Sequence, residues 1–223
     1  MGKTLKVKIP SGPVYIVLFL LLAFLCYEAH QLVRHIVGAW LCGGFGTMTF
    51  TVTTTRESCS LPTLITLSGP VLTYGLAWLG MFLLRLTKYK LFSYALIFAS
   101  FAHLRFIQTL SGGGDELTLA KQWFGVTSRP IVAAIVFIID LPPLITAFRV
   151  IANKRRALVF ICSWLLPLPL LFGLLIGNNL IFGTGGSEGP DSSFLGVSLI
   201  VLIGNLIAGA LLILLGYSYL HHE

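Results

Sequence analysis

Apolar residues in this chain come in long uninterrupted blocks, running from about residue 13 to 39, 63 to 86, 91 to 110, 130 to 151, 157 to 177 and 195 to 220. Each is close to the roughly 20 residues that an α-helix needs to cross about 30 Å of hydrocarbon. A lone lipid-facing strand leaves its backbone polar groups unsatisfied, so every block is expected to be a helix. Arg129-Pro130 places a proline where the first turn of the fourth helix tolerates it. Pro142 and Pro143 are expected to break that helix, and Pro167 and Pro169 to kink the fifth.

Between the first two blocks the pattern changes. Residues 41 to 60 begin with a Gly-rich turn and continue as alternating Thr, Val and Phe, a β signal that predicts a hairpin-like or re-entrant segment packed on the helices. Basic clusters fall on every second connection: Lys3, Lys6 and Lys8; then Arg85, Lys88 and Lys90; then Arg149, Lys154, Arg155 and Arg156. The positive-inside rule then puts both termini in the cytoplasm and requires an even number of spans. The expectation is one all-α, multi-pass membrane domain over residues 1–223, with about six transmembrane helices and the lipid bilayer as its main partner. Short loops and the absence of organelle signals suggest a bacterial inner membrane.

Composition agrees. Of 223 residues, 56% are hydrophobic and only 10% charged, against about 25% charged in ordinary soluble domains. The net charge of +7 is spread over separate loops rather than gathered in one patch, so nucleic acid is not an expected partner. Cys26 and Cys162 lie in apolar spans and read as packing residues. Cys42 and Cys59 share one connection, where an oxidising side would allow a disulfide.

Ionisable side chains inside spans are costly and call for a reason, about 2.5–3.5 kcal/mol each at a helix centre. Glu28, His103, Asp140 and Asn205 fall at similar depths when counted along their helices, with His30, Arg34 and His35 following Glu28. Two readings stand side by side. The layer is a site, or its members are structural, with pairs such as Glu28–Arg34 and Asp140–Arg105 tying helices together.

In order along the chain, Tyr27-Glu28-Ala29-His30-Gln31 on a membrane helix, the Gly-rich β-like segment, Leu67-Ser68-Gly69-Pro70 and Asp140-Leu141-Pro142-Pro143 resemble the site-2-protease type of intramembrane zinc metallopeptidase. That family carries His-Glu-x-x-His, a re-entrant β segment, a Ser/Ala-Gly-Pro span start and an Asp in a Pro-rich stretch. The resemblance implies Glu28 as catalytic base, zinc as cofactor, Asp140 as a ligand, and His30, His35 or His103 in place of absent histidines. Tyr27 and Gln31 stand where the motif has its two histidines, so the metal site is divergent. His30 and His35 point about 140° apart on a regular helix, and only a π-bulge brings them together. The functions that follow are a metallopeptidase-like protein, active or inactive, that holds transmembrane peptide segments; a proton- or ion-coupled transporter using Glu28, His103 and Asp140; or a non-catalytic assembly or binding protein.

Overall fold

The computed structural model describes residues 6–55, 61–86, 89–183 and 193–221. Among the described residues, six helical spans are long and apolar enough to cross a membrane, in the positions the hydrophobic blocks indicate. The first is a single helix, α1 (Pro13–Cys42), which opens on a proline and closes on Gly43 in the left-handed conformation, φ 69°, with its N–H returned to the Ala39 carbonyl. That ending suits glycine because it lacks a Cβ. The second span is α2 (Pro62–Leu86).

The third span is interrupted. Helix α3 (Lys90–Ala99) stops at Phe101, φ 62°, and a 3-10 turn over Ala102–Leu104 leads into α4 (Arg105–Leu110). A short amphipathic helix, α5 (Asp115–Phe124), follows outside the spans. The fourth span is α6 (Arg129–Val150), which runs unbroken through Pro142 and Pro143, contrary to expectation. Pro143 removes the N–H that would bond the Ile139 carbonyl, and Trp78 Nε1 of α2 donates to that carbonyl at 3.2 Å instead. A neighbouring side chain thus satisfies the freed oxygen, as membrane proteins commonly arrange. The fifth span does break, into α7 (Arg156–Leu165) and α8 (Leu168–Phe182) around Leu166-Pro167. The sixth is α9 (Leu199–His221).

The segment after α1 folds back as a tight turn. Met48 bridges Thr53 in antiparallel fashion and Val197 in parallel, beside a two-stranded hairpin of β1 (Ser193–Phe194) and β2 (Val197–Ser198). Cys42 is disulfide-bonded; the expected partner Cys59 lies outside the described residues. Cys26 and Cys162 are free thiols.

The apolar core lies between α1, α2, α3 and α6 around Phe19, Tyr94 and Phe98. The third span is the innermost, 67% buried, while the fifth and sixth are each 11% buried and give most of their surface to the surroundings. Close contact of α2 with α3 depends on Gly80. A Cβ there would lie 2.8 Å from the Ser93 carbonyl oxygen and 2.9 Å from Ile97 Cγ1. Gly80→Val is therefore expected to destabilise the protein by about 2 kcal/mol through overpacking, read as a lowered unfolding midpoint in detergent. An unchanged midpoint would show that α2 and α3 are not in close contact.

Candidate functional site

The sequence of α1 sets the first half of the site. His30 and Arg34 are four residues apart and share one helix face. Glu28 is two residues from His30, about 200° around the helix, so the two cannot face the same space. The glycine run Gly112 to Gly114 sets the second half. Gly112 and Gly114 hold φ of 95° and 92°, conformations that side-chain-bearing residues rarely adopt. This turn reverses the chain after α4 and starts α5 with Asp115 and Glu116 in its first turn, where the helix dipole favours negative charge.

These elements meet at Asp115. Arg34 Nη1 approaches its Oδ1 at 3.3 Å, while Arg105 Nη1 and His30 Nε2 approach Oδ2 at 3.2 and 3.3 Å. Arg105 Nη2 also lies 2.9 Å from His30 Nδ1, and Thr73 Oγ1 of α2 is 2.9 Å from the same nitrogen. A ring that donates from Nε2 to Asp115 leaves Nδ1 to accept from Thr73 Oγ1 or Arg105 Nη2, the latter lying 3.0 Å from Nε2 as well. Glu116 continues the cluster, with Arg105 Nη1 at 3.7 Å from one oxygen and the Tyr74 hydroxyl donating to the other at 2.9 Å. Gly69, in the Leu-Ser-Gly-Pro run, lies against the His30 ring, since a Cβ there would come within 2.6 Å of Nε2. Thr53 of the turn after α1 donates to Gln31 Oε1 at 3.0 Å.

Two guanidinium groups and two carboxylates thus form a nearly closed ionic cluster. Burial alone would raise the Asp115 pKa. The His30 hydrogen bond and the positive charges of Arg34 and Arg105 outweigh it and draw the pKa from 3.8 to about 2. A cavity of about 580 Å³ adjoins the cluster. His30, Arg34 and Arg105 form its polar wall, and Leu168, Leu171, Phe172 and Leu175 of α8 form its apolar one. The site lies away from the segment that precedes α1, since His30 and Arg34 both fall in the second half of that helix.

Of the four polar residues expected to share one layer, Glu28 and Asn205 meet, whereas His103 is tied to a different partner. Glu28 accepts from Asn205 Nδ2 of α9 at 3.4 Å. His103 bonds the Trp164 carbonyl at 2.9 Å, next to the break between α7 and α8. His35 bonds the Leu195 carbonyl at 2.8 Å and fastens the turn between β1 and β2. Asp140 is buried with Oδ2 unpartnered among the described residues. The pairs Glu28–Arg34 and Asp140–Arg105 are not formed, because both arginines turn to Asp115. Helix α1 is regular at His30 and His35, with no π-bulge. Among the described residues, no three His, Cys, Asp or Glu side chains are arranged to hold a metal ion. The two guanidinium groups on Asp115 occupy the oxygens that a metal would need, so this donor set does not fit zinc.

Comparison with family models, curated proteins and solved structures finds no match. The site therefore rests on its own geometry. Asp115 and Glu116 lie in a connection between spans and are not singled out by the sequence pattern, and Arg34 is expected from it to pair with Glu28. Two signals pointed the other way: the four-residue spacing of His30 and Arg34, and an acidic pair directly after three glycines.

Asp115→Asn leaves Arg34 without a counter-charge and is expected to destabilise the protein by about 2 to 3 kcal/mol. The folded-state pKa is depressed, so this contribution is present above pH 3.8 and fades as pH falls towards 2. Unfolding of wild type and Asp115→Asn in detergent should differ by a constant amount at neutral and mildly acidic pH and converge in strong acid. Equal stability at neutral pH would contradict the ionic cluster.

Proposed function

We propose that this chain has the plan of an intramembrane zinc metallopeptidase with a guanidinium in place of the metal, and that it binds a membrane-embedded segment without hydrolysing it. The support is one observation: His30 and Arg34, four apart on α1, converge on an Asp delivered from a later element. The family's His-Glu-x-x-His also places two groups four apart and completes the site with an Asp. Setting His30-Gln31-Leu32-Val33-Arg34 on that motif moves the register three residues beyond the one that starts from Glu28, and puts Asp115 in the place first given to Asp140.

In this register the losses are chemical. Gln31 stands for the glutamate, and an amide cannot take a proton from water as a general base does. Arg34 stands for the second histidine; it is always charged and has no lone pair to give a metal. Its charge neutralises Asp115, one part of what a bound cation would do there. Other parts of the pattern agree with this register. Gly69 makes room for the His30 ring, and the turn after α1 contacts Gln31 through Thr53. The apolar wall of α8 suits a hydrophobic segment lying alongside the polar wall.

Purified protein incubated with excess zinc, desalted and analysed for metal is expected to retain far less than one ion per chain. Arg34→His, alone or with Gln31→Glu, recreates the four-residue histidine pair beside Asp115 and should raise retention towards one. A wild-type protein that keeps one zinc per chain and loses it on His30→Ala would overturn the proposal.

A further inference from the structure

A second cavity, an open depression of about 750 Å³ with a mostly exposed lining, lies at the other end of the bundle, where α6 ends and α7 begins. Its wall carries four cationic side chains, Lys6, Lys154, Arg155 and Arg156, and no acidic one. None of the four joins an ion pair among the described residues. Arg156 sits 4.7 Å over the Phe148 ring. Leu158, which is exposed, adds apolar surface.

The cavity is built rather than incidental. The strand before α1 is pinned to the α6–α7 connection, with Val7 N–H donating to the Val150 carbonyl at 2.7 Å and Ala152 N–H to the Val7 carbonyl at 2.8 Å. The Asn153 side chain closes the pairing from both sides, accepting from Ile9 N–H at 2.8 Å and donating to the Ile9 carbonyl at 2.9 Å. Val7, Ile9 and Ile151 are buried in the main core, so Lys6 is held beside the loop cations by packed backbone. The first turn of α7 has no side-chain cap, which leaves backbone N–H groups at Ala157 and Leu158, both lining residues, to meet an anion.

We propose that this cavity binds the phosphate headgroup of an anionic phospholipid. Four cations without counter-ions call for a negative ligand. The position at the boundary of two membrane spans, with Phe148 and Leu158 beside the charges, calls for one that also carries an apolar tail. Basic pockets between membrane helices recognise lipid headgroups in this way. A water-borne phosphate shares the charge but has no use for the apolar rim.

The test is lipid retention by the full-length chain in detergent, measured by native mass spectrometry with phosphatidylglycerol, phosphatidylcholine and inorganic phosphate as probes. Phosphatidylglycerol should be retained and phosphatidylcholine should not. Lys154→Gln and Arg155→Gln, both at exposed positions, should each weaken retention about fivefold. Lys90→Gln, outside the cavity, should leave it unchanged. Asn153→Ala keeps every charge but unpins the strand that carries Lys6, and should also weaken retention. Equal retention of the two lipids, or retention unaffected by Lys154→Gln and Arg155→Gln, would overturn the proposal. Displacement of the lipid by inorganic phosphate at equal concentration would show a site for free phosphate and also overturn it. Full retention by Asn153→Ala would reduce the cavity to diffuse surface charge.

Discussion

Asp115 must be neutralised before the helices around it can close. Its side chain is only 16% exposed, and a carboxylate removed from water costs several kcal/mol unless opposite charge and hydrogen bonds replace the solvent. Two spans answer that need: α1 supplies Arg34 and His30, and the third supplies Arg105 through α4. The arrangement fixes the register of α1 against α4 and docks α5 on the bundle, since a slip of one residue turns each side chain about 100° away. The interruption at Phe101 belongs to the same solution. It re-aims the chain so that Arg105 starts a new short helix facing Asp115.

The remaining buried polar groups work as separate fasteners. Glu28 and Asn205 join α1 to α9, one of the two least buried spans. His103 holds the Trp164 carbonyl near the break between α7 and α8, and His35 holds the turn between β1 and β2. Among the described residues, side chains of opposite charge converge at the Asp115 cluster. There the chemistry is that of an ion cluster beside an apolar cleft. The basic cavity at the opposite end is independent of it, built from the N-terminal strand and the α6–α7 connection.

Much of the fold was legible because hydrocarbon imposes a strict rule: about 20 apolar residues, closed as helix. The six blocks, the turn after the first and the break at Pro167 all follow from local pattern. The site was less legible because it depends on depth and rotation rather than on residue type. Counting along helices placed Glu28, His103 and Asp140 in one layer, but depth alone does not say which way a side chain points, and Glu28 faces α9. Asp115 escaped notice because it lies in a connection, where acids are usually solvated; only the fold shows its helix tucked against α2 and α6. The two prolines of α6 misled for a related reason, since the compensating donor, Trp78, is more than sixty residues away.

Arg34 and Asp115 interact directly, 3.3 Å apart. A double-mutant cycle with Arg34→Gln, Asp115→Asn and the combined variant, each unfolded in the same detergent, measures that interaction free of each residue's other contacts. A coupling of about 2 kcal/mol is predicted for a charge pair this little exposed to solvent. A coupling below about 0.5 kcal/mol, with the two single effects simply adding, would contradict the account.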